Sequence, residues 1–443
     1  MSRWVSLLRA GTALGILILA TAQANAGGFA IREQSAYGQG TSFAGVAAGG
    51  AVSSMFWNPA TLTQFKGIVS ENDVTAILTH AQHTPQPGST LAGAPFFFGG
   101  ESNSGEMSWV PSGYTSYQLS PDLWLGLGIN APFGLSVSFQ DPWAGRNYAG
   151  DTTVKTYNAN PTIAWRVNDW FSIGVGVQAQ YASIRQTSGL LPTPGSVVIL
   201  DGKGWGFGAT AGVTFTPWAN TTIGLGWRSA INQDISGTLA VTPNTLPATR
   251  GSVETTINLP DIVSLGIRHR FDDRWTVMGT AEWSNWSRIG TVNINQLSGA
   301  PATITTTATN AVTLPLQYDD GWFFSAGVEY RWTERLTVRG GVGYEISPIT
   351  DQVRTPRLPD NDRFWASVGL SWKIAPFAHF DLAYTHLFIK DPNVNISAAS
   401  GNPSFNGSIS YIGTVDAHSD MISGALVVRF DDLEPSVKKP FMK

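Results

Sequence analysis

The chain has 443 residues, a formal net charge of −4 and only 13% charged residues, where ordinary soluble proteins have about 25%. This balance gives no indication of nucleic-acid binding, and the absence of cysteine excludes a fold held by disulfides. After the first 26 residues no apolar run is long enough for a membrane-spanning helix. Together with 48 glycines, 17 tryptophans and 11 tyrosines, this composition favours a transmembrane β-barrel.

Residues 1–26 are typical of a secretory signal peptide. Arg3 and Arg9 supply positive charge, residues 11–22 form a short apolar core, and residues 24–26 read Ala-Asn-Ala, a small-residue cleavage site. The mature chain is therefore predicted to begin at Gly27. Export combined with a barrel predicts a location in the outer membrane of a Gram-negative cell.

Residues 27–65 do not alternate between apolar and polar and are rich in glycine and alanine. They contain the stretch SSMFWNPATL at 53–62, in which Pro59 ends regular pairing and the aromatic residues Phe56 and Trp57 are available for packing. A disordered N-terminus is the alternative, but the aromatic residues argue against disorder. We predict that this segment is a hatch that fills the lumen, with Asn58, Pro59 and Ala60 joining it to the wall.

Residues 66–430 alternate with a period of two over long segments that carry aromatic residues at their ends. Periodicity alone does not separate a soluble sandwich from a membrane barrel, but strand length and aromatic placement favour the barrel. We predict an all-β, antiparallel up-and-down barrel of about fourteen strands, with apolar side chains facing lipid and charged ones facing the lumen. Arg339 with Glu345, and Arg331 with Glu329, are predicted to be members of a salt-bridge network between strands inside it. Residues 431–443 are predicted to form a periplasmic tail.

The third predicted strand, from 123 to 139, is interrupted by Asn130, Pro132, Phe133 and Gly134. Proline lacks a donor for the ladder and glycine lacks a side chain, so a kink is expected in this strand. From these residues alone, a plain bulge without function is the favoured interpretation.

Candidate ligand contacts lie mainly in the long connections. The apolar stretch 91–98, with Phe96, Phe97 and Phe98, could form an outer capture surface or could equally pack against other loops. A buried arginine can receive a carboxylate through two hydrogen bonds, although internal salt bridges are an alternative for most of them. The further candidates for ligand contact are Phe29, Arg146, Arg354 and Arg357.

Several motifs occur in one order along nearly the whole mature chain. They are Gly28-Phe29-Ala30-Ile31-Arg32-Glu33-Gln34, Asn58-Pro59-Ala60, Asn130-Ala131-Pro132-Phe133-Gly134-Leu135, Trp143-Ala144-Gly145-Arg146, Ser347-Pro348-Ile349-Thr350-Asp351, Arg354-Thr355-Pro356-Arg357-Leu358-Pro359-Asp360, Asp362-Arg363-Phe364-Trp365 and Tyr384-Thr385-His386-Leu387-Phe388. Each is weak alone, but in this order the chain resembles the long-chain fatty acid transporter (FadL-type) family of outer-membrane proteins, which includes aromatic-hydrocarbon channels.

This resemblance implies a fourteen-stranded barrel closed by an N-terminal hatch. It implies capture of a fatty acid or hydrocarbon in an outer groove, passage to a pocket above the hatch, and lateral exit at the kink of residues 130–134. No energy-coupling element is visible in the sequence, so transport is expected to be passive. The expected partners are the hydrophobic ligand, outer-membrane lipid and lipopolysaccharide, and the protein is expected to be a monomer without a cofactor or metal.

The sequence pattern also fits membrane barrels with other functions. An adhesive or structural barrel, a lipid-modifying enzyme and a general porin share the strand pattern, and the porin is disfavoured by the predicted hatch. An enzyme would need a nucleophile or acid–base site at the wall, and no such arrangement is evident. The His80-x-x-His83 spacing is interpreted as loop surface rather than as a metal site.

Overall fold

The computed structural model describes residues 27–91, 94–95, 100–190, 196–242, 250–298 and 311–433. In these residues a closed antiparallel barrel of fourteen strands forms the wall. The wall strands are β1 (Ile68–Pro85), β2 (Met107–Ser120), β3 (Leu123–Asn130 and Gly134–Val137), β4 (Thr152–Asn168), β5 (Phe171–Gly189), β6 (Val197–Trp218), β7 (Thr221–Arg228 and Ile231–Thr242), β8 (Arg250–Leu259 and Ile262–Arg270), β9 (Trp275–Ser284 and Thr291–Ser298), β10 (Ala311–Pro315 and Gly321–Arg331), β11 (Leu336–Ile346), β12 (Arg363–Ala375), β13 (Ala378–Ile389 and Asn393–Ile396) and β14 (Ile409–Arg429).

The remaining described elements are short. They are the helix α1 (Ala36–Gln39), the 3₁₀ helices Val46–Ala48, Val52–Phe56, Pro59–Gln64, Trp286–Ile289 and Phe430–Leu433, and the short strands Thr90–Leu91, Ala94–Pro95 and Ser102–Asn103. Among the described residues, no helix has the length and apolarity needed to cross a bilayer. The sequence boundaries at 26, 65 and 430 stay predictions, and residues 1–26 and 434–443 lie outside the described part of the chain.

The barrel closes because β1 pairs with β14 along its whole length, from Val69 opposite Arg429 to Pro85 opposite Gly413. Connections of two to four residues join alternate strand pairs at one end, for example residues 121–122, 169–170 and 219–220. The first residue of β1 and the last residue of β14 also lie at the end of the barrel that carries the short turns. Alternation of short turns and longer loops is the arrangement of an up-and-down membrane barrel.

The outer face of the wall is apolar and the inner face is polar. On β11, Val342 and Tyr344 are 48% and 46% exposed, whereas Arg339 and Glu345 are 5% and 4% exposed. Successive residues of a strand point to opposite faces, so the exposed apolar residues face outward and the buried charges face the lumen. The predicted inversion of a soluble core is confirmed.

An aromatic row crosses four adjacent strands on the outer face. Phe324 lies opposite Tyr344, Tyr344 opposite Phe364 and Phe364 opposite Phe388, and all four side chains are exposed. Exposed tryptophans, including Trp332 on the turn after β10, stand at the opposite end of these strands. Two aromatic belts separated by aliphatic side chains match the two interfaces of a membrane.

Arg339, Glu329 and Glu345 form ion pairs on the inner face as predicted, but the predicted pairings are wrong. Arg339 contacts Glu329 at 3.5 Å and Asp381 at 3.4 Å, because the β10–β11 register places Glu329 directly opposite Arg339. Glu345 lies six residues further along β11, a separation of about 20 Å in an extended strand. Arg331 is exposed at the end of β10. Strand register, which the sequence pattern did not specify, decides these contacts.

Candidate functional site

The segment 27–65, called the hatch segment below, lies within the ring of wall strands. The helix α1 packs against β12, β13 and β14, the turn Val46–Ala48 packs against β7 and β8, and Pro59–Gln64 packs against β4, β5 and β6. Contacts on opposite sides of the barrel require a position inside the lumen. Nearly every residue of the segment is accordingly buried.

Asn58 holds the end of the hatch segment to the wall. Its side-chain oxygen accepts a hydrogen bond from Ala60 N at 3.0 Å and so caps the following 3₁₀ helix. Its side-chain nitrogen donates to Ala47 O at 2.7 Å and to Val213 O of β6 at 2.9 Å. Pro59 occupies the first position of the helix, where a missing N–H group costs least. One side chain therefore joins two turns of the hatch segment to the wall.

The aromatic pair before Asn58 packs inside the barrel. Phe56 and Trp57 are 5% and 2% exposed and their ring centroids lie 5.0 Å apart. The guanidinium of Arg228 on β7 lies 4.1 Å from the centre of the Phe56 ring and donates to Phe56 O at 2.9 Å. A Cβ atom at Gly226 would approach Trp57 O to 1.9 Å, so a wall glycine is needed where the hatch backbone passes.

The third strand is broken, as the sequence predicts. β3 stops at Asn130 and resumes at Gly134. Its lower piece pairs with β2 from Ser120 opposite Leu123 up to Gly113 opposite Ile129. Its upper piece pairs with β4. Between Gly113 and the loop end of β2, therefore, β2 and β3 are not paired. The hydrogen-bonded ladder of the wall has a gap between these two strands.

Residues of the hatch segment occupy the break. Ala30 forms an antiparallel bridge with Phe133, Ile31 N donates to Pro132 O at 2.8 Å, and Gly134 N donates to Phe29 O at 2.9 Å. The free backbone groups of the break are thereby satisfied by residues 29–31 rather than by β2. The hatch segment is thus an integral part of the wall at this point.

On the wall side, one threonine completes the break. Thr156 Oγ1 of β4 donates to Phe133 O at 2.6 Å and at the same time accepts from Phe133 N at 3.0 Å. Phe133 is 4% exposed and Pro132 is also buried. The kink is therefore closed in this conformation, with a hydroxyl standing in for a strand partner.

An apolar cluster lies beside the break on the loop side of the hatch segment. The Phe29 ring lies 4.8 Å from the Trp286 ring and 6.1 Å from the Phe133 ring, and Trp286 lies 6.1 Å from Tyr318. The cluster also includes Ile231, Ile235, Leu259, Ile289, Val292 and Ile349, with Leu314 and Leu316 against it. Such a surface can take an apolar solute.

A buried charge cluster anchors the start of the hatch segment. Arg32 contacts Glu282 at 2.5 Å and Glu345 at 3.4 Å, and its guanidinium lies 3.8 Å from the Phe323 ring centre. Gly27 N donates to Glu345 Oε1 at 3.0 Å. Buried cations need such partners, because removal from water is costly. The cluster ties the segment to β9 and β11.

The arginines predicted as ligand contacts are engaged within and between loops. Arg354 donates through Nε to Asp360 O at 2.7 Å, and Arg357 donates through Nη2 to Tyr148 O and Thr187 O, both at 3.1 Å. Arg146 forms an ion pair with Asp141 at 3.1 Å. Their contact with a ligand stays a prediction.

Two further predictions concern the outer loops and histidines. Phe96, Phe97 and Phe98 lie outside the described residues.

His83, interpreted from the sequence as loop surface, is instead buried, with Nε2 at 2.9 Å from Ser104 Oγ and its ring 5.1 Å from that of Phe139. It is a packing residue of β1. No cluster of metal-ligating side chains occurs in the described part of the chain.

Sequence reasoning missed Trp286, Thr156 and Arg32 as members of the site. Trp286 has the position of an aromatic residue at a strand end, but β9 breaks into a 3₁₀ helix there and the ring turns inward to 1% exposure. The irregular Ser-Asn-Trp-Ser of 284–287 was the available signal. Nothing in the spacing of Thr156 or Arg32 distinguishes them from neighbouring lumen residues.

A closed fourteen-stranded barrel with an apolar outer band, aromatic belts and an N-terminal segment inside it defines an outer-membrane β-barrel with a hatch. Residues 17–424 match the family described as outer membrane protein transport protein (OMPP1/FadL/TodX), and the chain belongs to this family. The resemblance inferred from the sequence is therefore confirmed, and so is the outer-membrane location.

Two similar proteins align with most of the chain. Outer membrane protein P1 of Haemophilus influenzae is 27% identical over 418 residues, covering 84% of this chain and 88% of the relative. The long-chain fatty acid transport protein of Escherichia coli strain K12 is 24% identical over 452 residues, covering 89% and 95%. The family is one of transport proteins, so the transporter interpretation replaces the enzyme and the adhesin.

Two solved structures share the fold. A Pseudomonas aeruginosa FadL homologue superposes with a TM-score of 0.80 at 21% identity, covering 91% of this chain and 100% of that one. The Ralstonia pickettii toluene transporter TbuX superposes with a TM-score of 0.62 at 18% identity, covering 86% and 94%. At these identities the likeness shows the architecture alone.

Proposed function

We propose that the protein carries small hydrophobic molecules, long-chain fatty acids or hydrocarbons, passively across the outer membrane. Capture occurs among the extracellular loops, the molecule passes to the apolar cluster around Phe29, Phe133 and Trp286, and it leaves sideways through the break in β3. Support comes from the relatives, one named as a long-chain fatty acid transporter and one as a toluene transporter.

The observation that carries this proposal is the filling of the break by residues 29–31. The hydrogen bonds from Ile31 N to Pro132 O at 2.8 Å and from Gly134 N to Phe29 O at 2.9 Å hold residues 29–31 against the break, and residues 29–31 are not part of a wall strand. Withdrawal of residues 29–31 opens the wall without breaking any ladder between neighbouring strands. A hydrophobic solute at the apolar cluster then faces acyl chains directly.

The energetics favour such a route. Lipopolysaccharide presents a polar sugar layer, and shielding a chain from it recovers about 0.8 kcal/mol for each CH₂ group buried. Release must follow capture, so the sites along the path need similar, modest affinities. The arginines 146, 354 and 357 and the phenylalanines 96–98 are proposed as parts of the capture surface. A monomer surrounded by lipid and lipopolysaccharide suffices for this path.

A disulfide that fixes the hatch segment in the break tests the proposal. Ala30 and Phe133 form a bridge of the non-hydrogen-bonded kind, whose Cα atoms lie about 4.5 Å apart, within the reach of a disulfide. The chain has no native cysteine to interfere. In the double variant Ala30→Cys with Phe133→Cys, oxidation is expected to abolish uptake of labelled fatty acid and of toluene, and reduction is expected to restore it.

The two single-cysteine variants serve as controls, since each carries one of the substitutions without the cross-link. They are expected to show the same uptake under oxidising and reducing conditions. Uptake that persists in the fully cross-linked protein excludes the lateral route. Running both ligands in parallel also decides between fatty acid and aromatic hydrocarbon as the substrate.

A further inference from the structure

Three amide side chains form a row on the inner face of the wall next to the break. The ladder places Asn130 of β3 opposite Asn158 of β4, and Asn158 opposite Gln180 of β5. Their exposures are 3%, 1% and 0%. Tyr157, the neighbour of Asn158, is exposed on the outer face, so the amides point into the barrel.

Much of the hydrogen-bonding capacity of this row is unused by the protein. Within the described residues, the side-chain oxygen and nitrogen of both Asn130 and Asn158, and Oε1 of Gln180, have no hydrogen-bond partner. Only Gln180 Nε2 is engaged, donating to Gln233 Oε1 at 3.0 Å. Leaving a buried polar group without a partner is destabilising, so five such atoms in one row indicate a polar occupant.

The row adjoins the hatch segment at the start of the proposed exit. Asn130 is the last residue before the break. Gln34 of the hatch segment donates through Nε2 to Ala131 O at 2.8 Å and to Ile31 O at 3.0 Å, while its Oε1 is buried and has no partner within the described chain. Gln34 of the hatch segment is thus hydrogen-bonded to the residue that follows Asn130, beside the gap.

We propose that Asn130, Asn158, Gln180 and Gln34 bind the uncharged polar head of an amphiphilic ligand, such as the hydroxyl of a long-chain alcohol or the un-ionised carboxyl of a fatty acid. The alkyl chain lies on the apolar cluster around Phe29 and Trp286. This inference rests on the proposed function and deepens it, since it names the head-group chemistry that the path accepts.

The donor and acceptor balance of the row selects an uncharged head. Whichever way they are turned, the amides of Asn130 and Asn158 each offer one NH₂ group, with two N–H donors, and one acceptor oxygen, and Gln180 and Gln34 add two acceptor oxygens. A hydroxyl or carboxyl group both donates and accepts. An ionised carboxylate only accepts and would leave the amide oxygens unpaired. The cation Arg228 is already engaged, through Phe56 O at 2.9 Å and through Gln178.

The test compares two ligands of equal chain length, dodecanol and dodecane, on the purified full-length protein. Asn158→Leu keeps the approximate size of the side chain and removes both polar groups. The dissociation constant for dodecanol is expected to rise at least tenfold, whereas that for dodecane changes less than twofold. Asn232→Leu, the same substitution at an exposed position of β7, is the matched control and is expected to change neither.

Each outcome decides something different. Wild-type protein that binds neither ligand overturns the proposed function. Wild-type protein that binds both, with Asn158→Leu affecting both equally or neither, overturns only the amide site. Gln180→Met serves as the second variant if Asn158→Leu does not fold, which heat-dependent migration of the barrel on gels reveals, and its expected result is the same selective loss of dodecanol binding.

Discussion

Arg32 and Glu33 are neighbours in the hatch segment, but burial affects their charges differently. The Arg32 guanidinium has Glu282 and Glu345 as partners. Burial raises the pKa of Glu33 to about 7, although Arg32 and Arg363 act in the opposite direction. A carboxyl with a raised pKa is held protonated in the folded segment, so the docked state loses stability as the pH rises from about 4.5 to about 7 and stays weakened above it.

The Glu33→Gln variant tests this pH dependence. In the wild type, hatch opening, measured as conductance in planar bilayers, is expected to become more frequent as the pH rises from 5 to 8. The docked hatch segment loses at most about 3 kcal/mol of stability over this range. An uncharged glutamine removes the titration, so the variant should show the same frequency at both values.

Glu334→Gln, at an exposed turn, is the matched control and should behave like the wild type. A pH response that survives unchanged in Glu33→Gln would assign the titration to another group.

At the scale of elements, the 3₁₀ helix Pro59–Gln64 and the broken strand β3 are each stabilised by contacts with another part of the chain. The helix is too short to be stable by itself, and Asn58 connects it to Ala47 O and Val213 O. The upper piece of β3 has β4 on one side and residues 29–31 on the other. Both elements form because the hatch segment and the wall fold against each other.

Replacement of Asn58 by alanine is expected to loosen the end of the hatch segment. The substitution leaves the carbonyls of Ala47 and Val213 and the amide of Ala60 without their partner, a loss of about 2–4 kcal/mol. Hydrogen exchange of residues 58–64 should accelerate, while the wall strands keep their protection. Asn232→Ala at the outer face should leave both unchanged, and equal exchange in the two variants would contradict the anchoring role of Asn58.

At the scale of the whole molecule, a fourteen-stranded wall encloses more space than wall side chains fill. The hatch segment occupies that space through buried contacts with nearly every side of the barrel. Wall and hatch together make a closed body that combines an apolar outer surface, a polar inner surface and the break between β2 and β3.

Deletion of residues 27–61 is expected to convert the protein into an open pore. Conductance to small ions should rise from near zero to the level of a water-filled barrel, and cells should become sensitive to small polar antibiotics. Removal of residues 434–443 provides a control of similar design at the other terminus and should leave conductance low. Low conductance after the N-terminal deletion would show that other residues close the lumen.

Much of this architecture follows from local pattern. The period-two alternation of segments such as 336–345, with aromatic residues at their ends, predicts a membrane strand because lipid outside and water inside select opposite side chains. Proline at 132 predicts the break because it lacks the N–H group that a central ladder needs, and glycine at 134 supports it because glycine weakens the interior of a strand. The sequence order of the Asn-Pro-Ala and Arg-Thr-Pro motifs identifies the family.

The sequence by itself thus determined the barrel, its inverted polarity and the position of the kink, all of which depend on residues close together in the chain. Only the tertiary structure decided which residues meet inside: Arg339 with Asp381 instead of Glu345, Phe133 with Ala30, and Asn130 with Asn158. These contacts join positions distant in sequence through strand register and through the path of the hatch segment. Neither is encoded in a period of two, because every register of even shift keeps the same faces buried.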